Sequence, residues 1–262
     1  MLFRSHVSMS SISDYLSKYP DTVIEKINIR AKDSEGNIIG KTYSSMDYLV
    51  AEIEHEGVAY IYTWGRWFKI DKDYQIKTHY KLNKIIDLTE SLKLPDLHRT
   101  MKGGKTYYED EGDYNARVKN VLSVFDFDKK PVHYKENQKI EICDFLIADE
   151  YFVCVKKMND SASMSHLFNQ GINTAYLLRG DAEFENNLFS ALNRTVDINK
   201  ASIVFGIVTK KGGSIKDVLF FFSQMSLLRA AKDIESRGFK VAVAKIATKD
   251  VESLPNKKAT AK

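Results

Sequence analysis

Lys139 to Tyr176 reads KIEICDFLIADEYFVCVKKMNDSASMSHLFNQGINTAY, and the rest of the chain is organised around it. Lys139 to Ala148 is apolar-rich and strand-like, with Glu141 and Asp144 set into it. Asp149-Glu150 turns the chain, and Tyr151 to Lys157 returns as a second strand that ends in Lys156-Lys157. Asn159, Asp160 and Ser161 break that strand. A helix follows, with Ser163 or Ser165 as its N-cap, Leu167, Phe168, Ile172 and Ala175 at helical spacing, and Gln170 among them.

The surrounding chain has 262 residues, 44% of them apolar and 28% charged, as in a globular protein with a substantial core. A net charge of +4 permits a nucleic-acid partner without arguing for one, because such binders concentrate basic residues on one face. The two cysteines, Cys143 and Cys154, fall in strands of one hairpin and read as buried thiols; a zinc site or a disulfide framework needs more ligands. No apolar run reaches the length of a membrane span, and MLFRSHVSMSS lacks the apolar segment of a signal peptide, so a cytoplasmic location is expected.

Residues 1–20 are polar and serine-rich, and a flexible N-terminus is expected there. Residues 21–92 read as a small α+β domain. Thr22 to Ala31 alternates, SEGN at 34–37 turns, and Ile38 to Tyr43 pairs back. Ser44 or Ser45 caps a short helix running towards Gly57. VAYIYTWGRWFKID at 58–71 makes two strands around Trp64-Gly65, whose rings either fill a core or form a base-stacking platform. Asp71 opens a helix to about Leu88. Residues 93–112, with a proline, Gly103-Gly104 and little periodicity, read as a linker or functional loop. GGK there lacks the spacing of a phosphate-binding loop.

Residues 113–248 form the second domain. Asp113 caps an amphipathic helix with Glu111 just before it, and Asp126, Asp128, Lys129 and Lys130 form its exit loop. The hairpin and its helix follow, then a helix near Glu183–Leu192, a buried strand at Ala201 to Thr209, a helix capped by Ser223, and a strand from Phe239 to Ile246. This order predicts an α/β (α+β) protein with a mixed sheet flanked by helices, although a third strand of the hairpin's meander is not obvious. Residues 249–262 form a basic tail.

Four stretches, GRWFKIDKDY, EGDYNARV, IEICDFL…FVCVKK…SHLFNQG and LFFFSQMSLLRAAKDIESRGFKVAVAKI, together resemble a bacterial family called "sporadically distributed protein", over roughly residues 45–250. Members of that family are longer on the N-terminal side, so the chain resembles a truncated, split or short member. The resemblance implies a loose link to bacterial defence and no catalytic assignment. The acids, hairpin lysine and helix glutamine also resemble the core of restriction-endonuclease-like nucleases, which place an acid on one strand, an acid-x-Lys on the next, and often a glutamate on the preceding helix.

That resemblance makes Asp144 the first acid and Lys156 the lysine, with Cys154 where the second acid belongs, so that Glu111 or Glu141 must supply a carboxylate. Phosphodiester hydrolysis asks for a cation held by oxygen ligands and a positive group beside it. Strand register decides whether these groups meet. With a loop of Ala148-Asp149-Glu150, Asp144 faces Cys154 and Ile142 faces Lys156. With Asp149-Glu150 alone, Cys143 faces Lys156 and Glu141 joins the lysine. A bulge brings both acids round. Ser165 beside His166 is a poor catalytic pair, because neighbours on a helix point apart.

The first expectation is therefore a magnesium-dependent nuclease or nuclease-like domain acting on DNA. Asp144, Glu141 and Glu111 would be its metal ligands, with Lys156 the catalytic base or electrostatic helper and Gln170 a positioning residue. The second is a non-catalytic nucleic-acid- or protein-binding module on the same fold. The third is a metal-independent RNase-type toxin. A partner supplying a missing N-terminal region is compatible with each.

Overall fold

The run Ser202–Val208 is buried at every residue, as a strand covered on both faces must be, and the main sheet is built outward from it. The computed structural model describes residues 9–33, 35–127, 130–135 and 138–254. Residues 1–8 of the expected flexible terminus, Ser34 of the expected turn, Asp128 and Lys129 of the exit loop, and the tail from Pro255 lie outside that range. The chain divides into two compact units, residues 1–76 and 77–262.

In the larger unit the site-bearing elements are helix α1 (Glu111–Val121), strands β1 (Val124–Asp126), β2 (Phe145–Ile147) and β3 (Tyr151–Lys157), helices α2 (Ser161–Gly180) and α3 (Ala182–Leu192), strand β4 (Ser202–Val208), helix α4 (Phe221–Glu235) and strand β5 (Lys240–Ile246). A six-stranded sheet runs β1, β2, β3, β4, β5, with Ile86–Asp87 as a short outer strand. β1, β2 and β3 form an antiparallel meander, while β3, β4, β5 and the short strand are parallel. This is the expected mixed sheet flanked by helices.

Each face of the sheet has its own core. Leu167, Phe168 and Ala175 of α2, Leu227 and Ile234 of α4, and Leu188 of α3 close over Phe152, Cys154, Ile203 and Phe205. Tyr114 and Val118 of α1 pack with Phe145, Val153 and Val204 on the other side. Cys143 and Cys154 are both free thiols, fully buried.

The third strand of the meander is β1, which ends in Asp126 of the expected exit loop. Asp126 is 4% exposed and pairs with Phe145 of β2. Three residues are too few to show a period. Residues 93–112, expected as a linker or loop, include a hairpin of Leu97–Lys102 and Lys105–Tyr108, because Gly103 and Gly104 adopt the positive φ its two-residue turn requires. α1 is capped by Asp110 rather than Asp113, and α2 by Asp160 rather than Ser163 or Ser165; Ser163 completes its capping box. Ser223 lies inside α4, fully buried, rather than capping it.

In the smaller unit, Met9–Lys18 is a helix, where Met9, Ile12, Leu16 fall near helical spacing. Asn28–Lys32 pairs with Ile38–Ser44, but the strand expected from Thr22 starts only at Asn28, because Ile24–Lys26 forms a 3-10 turn. The helix capped by Ser44 stops at Tyr48, and Ala51–His55 is a strand instead of its continuation. Glu52 and Glu54 alternating with Ala51 and Ile53 set a period of two, and Glu56-Gly57, both at positive φ, turn the chain to Val58–Thr63. Trp64 sits at the next turn, 78% exposed, while Tyr62 is 8% exposed in the core. The helix opened by Asp71 ends at Leu82, short of Leu88. Among the described residues, no helix is long and apolar enough to cross a membrane.

Gly171 lets α2 lie close against β4. A Cβ there would lie 2.5 Å from Cε1 of Phe205 and 3.0 Å from Cγ2 of Ile203. Gly171→Ala therefore loses about 1–3 kcal/mol of stability to overpacking, although alanine favours a helix over glycine by about 1 kcal/mol. A lower urea midpoint with an unchanged slope is the expected result.

Candidate metal centre

Asp144 sits where β2 begins and is 2% exposed. The ladder is irregular there. Phe145 pairs with Val153, yet the Asp144 N–H also donates to the Val153 carbonyl at 2.9 Å, so two residues oppose one. That is the pattern of a β-bulge, which re-aims the side chain at its centre. The Asp144 carboxylate accepts the Val155 N–H at 2.8 Å. The hairpin loop is Ala148-Asp149-Glu150, since Ile147 pairs with Tyr151. The first of the two registers holds as far as Phe145, and the bulge then removes the expected Asp144–Cys154 facing.

Asp144 and the three residues before it lie outside regular strand, between Gln138–Ile140 and β2. Thr174 of α2 fixes this run by donating its hydroxyl to the Ile142 carbonyl. Freed from strand alternation, Glu141 reaches the same place as Asp144. Glu111 arrives from the opposite face of the sheet as the first residue of α1, in the turn where the helix dipole favours an acid. Ligand oxygens of Glu111, Glu141 and Asp144 all lie within 4.8 Å of one another.

The three acids open onto a cavity of about 700 Å³ that is also lined by Lys156 and by His166, Asn169, Gln170 and Asn173 of α2. Every residue the sequence singled out for the site therefore borders one space: Asp144, Glu141, Glu111, Lys156 and Gln170. Asn169 and Asn173 were missed. Their signal was available in principle, as polar residues at helical spacing opposite Leu167, Phe168 and Ala175. Ser165 bonds to Ser226 of α4 while His166 lines the cavity, so the two do point apart. Cys154 is fully buried in the core under α2 and does not line the cavity.

Burial pushes the Asp144 carboxyl up to about 8; the Val155 N–H pulls the other way, and the neighbouring Glu111 and Glu141 charges push it further up. Three hard oxygen donors, one from α1 and two from the irregular run before β2, with Asp144 buried and repelled by the others, form a donor set that could hold a metal ion. The ordinary value of 3.8 is raised in the fold, so the charged form is what folding penalises. That penalty is absent below the unfolded value, grows as pH rises, and is complete above about 8.

Fold and site define a mixed α/β protein whose main sheet carries an acidic, cation-compatible cavity at the end of its antiparallel strands. The chain belongs to a family of unknown function (DUF6119), whose model matches residues 3–247. No curated protein and no solved structure matches it.

Asp144→Asn removes the charge and keeps an acceptor for Val155. In EDTA at pH 8.5 this variant melts several degrees above wild type, and the gap narrows towards pH 5. Differential scanning calorimetry across that range reads the effect.

Proposed function

We propose that this protein is a magnesium-dependent nuclease acting on DNA. The observation carrying the reading is the meeting of Glu111, Glu141 and Asp144 within 4.8 Å, beside Lys156 in one cavity. The order helix, three-stranded antiparallel meander, helix, parallel strand supports it, because it brings an acid of the preceding helix, an acid before one strand and a lysine of the next to one cavity. The acid absent at Cys154 is replaced by Glu141 from the irregular run, which lies within reach of Asp144 because the bulge breaks the strand there.

In this reading Glu111, Glu141 and Asp144 hold the cation. When bound, the ion supplies charge stabilisation and lowers the pKa of a coordinated water. Lys156, half-buried at the end of β3, orients the attacking water and offsets the charge developing on the phosphate. Gln170 donates from its amide to hold the substrate against the wall formed by α2. The burial of Asp144 excludes bulk water from one side of the site and strengthens these interactions. The defence setting implied by the family resemblance fits such an activity.

A second reading keeps the fold and drops the cutting: a nucleic-acid-binding module. The fully buried thiol of Cys154, where an acid-x-Lys pair would place a carboxylate, favours it.

Plasmid, single-stranded DNA and RNA incubated with the protein and Mg2+ or Mn2+ separate the two. The expected outcome is DNA cleavage that EDTA abolishes and that falls about 100-fold or more in Asp144→Ala and in Lys156→Ala. Mn2+ raises the melting temperature of wild type and leaves Asp144→Asn unmoved. Cleavage persisting in EDTA overturns the metal-dependent reading. Binding without cleavage, unchanged in Asp144→Ala, selects the second.

A further inference from the structure

The net charge of +4 conceals a local concentration of lysines that the chain brings together from distant positions. Lys156 and Lys157 close β3, Lys210 and Lys211 follow β4, and Lys245 lies near the end of β5. Lys156 pairs with Ile207, and Ile207 pairs with Lys245, so these two lysines hold one rank on either side of β4.

Lys157 and Lys210 share one aromatic ring, while Lys245 and Lys211 bond to carbonyls of the connection after β4. Lys157 Nζ stands 3.8 Å from the centre of the Tyr108 ring, and Lys210 Nζ lies 5.9 Å from the same ring. Lys245 donates to the Gly213 carbonyl at 2.9 Å. Lys211 donates to the Val218 carbonyl at 3.3 Å, with its Nζ 4.4 Å from the Phe220 ring centre. Among the described residues, none of these four ammonium groups forms an ion pair with a carboxylate. Of the acids on the connections leaving β3 and β4, Asp160 is engaged in capping α2 and Asp217 lies 3.7 Å from His79.

Aromatic rings and carbonyls hold the lysine stems in place without neutralising them. Like charges fixed at one end of a sheet repel each other, and a polyanion relieves that repulsion while releasing its own counterions. Lys156 belongs to this ridge by sequence and to the acidic cavity by position.

We propose that Lys157, Lys210, Lys211 and Lys245 form a track for the sugar–phosphate backbone of nucleic acid, leading to the cavity at Lys156. The track rests on the nuclease reading for what happens in the cavity, but its binding role is independent of cleavage.

The test is fluorescence anisotropy of a labelled duplex oligonucleotide in EDTA over a series of NaCl concentrations. Wild type, the triple variant Lys157→Gln, Lys210→Gln, Lys211→Gln, and the matching triple arginine variant are compared, with thermal melts confirming that each is folded. The glutamine variant is expected to bind about 10-fold or more weakly at 0.1 M salt, with a log–log salt slope shallower by about 2–3, since each lost phosphate contact removes about 0.9. The arginine variant keeps the wild-type slope. An unchanged slope in the glutamine variant, or no binding by wild type, overturns the track. Cleavage in Mg2+ with an unchanged slope removes the track and leaves the nuclease. A shallower slope without cleavage does the reverse.

Discussion

Asp144 accepts the Val155 N–H at 2.8 Å while 2% exposed and crowded by Glu111 and Glu141. A carboxylate so placed is costly in its charged form, and the fold keeps it by bending β2 rather than by supplying a cationic side chain at the same point. The bulge at Asp144 and Phe145 has two effects. It turns Asp144 away from the core that Cys154 occupies, and it releases the chain before it so that Glu141 can swing alongside. The site is therefore a consequence of a broken ladder as much as of the residues it displays.

The two cores explain how an acid from α1 and two from the run before β2 can share one location. α1 is fixed on one face by Tyr114 and Val118, and α2 on the other by Leu167, Phe168 and the close contact at Gly171. Glu111 comes from the first face and the amides of Asn169, Gln170 and Asn173 from a wall of the second. The end of the sheet between them carries Asp144 and Lys156. Rigid elements thus place the polar groups, and only the run from Glu141 to Asp144 is irregular, where Thr174 holds the Ile142 carbonyl. The lysines at the ends of β3, β4 and β5 give the same end of the sheet an excess of positive charge. An acidic pocket beside a basic ridge is the electrostatic pattern expected where a cation and a polyanion meet.

Much of the fold was legible in the sequence. The unbroken apolar run at Ser202–Val208 announces a doubly covered strand, and the stripe Leu167, Phe168, Ala175 announces a buried helix face. The five residues expected to meet do border one cavity. What the sequence could not convey is where regular structure stops. Val124–Asp126 is too short for any period to be visible, and the bulge depends on which Val153 partner wins the hydrogen bond, a matter of tertiary packing. Caps were misplaced by a turn because several polar residues compete near each helix start, as Asp160 and Ser163 do at α2. The lysine ridge was invisible, since residues 157, 210 and 245 come to one end of the sheet only through the parallel crossovers.

If the three carboxylates hold a divalent cation, a crystal grown in Mn2+ shows an anomalous difference peak at about 2.0–2.6 Å from oxygens of Glu111, Glu141 and Asp144. A map from a saturated crystal with no peak among these residues, or with its peak on other ligands, would contradict it.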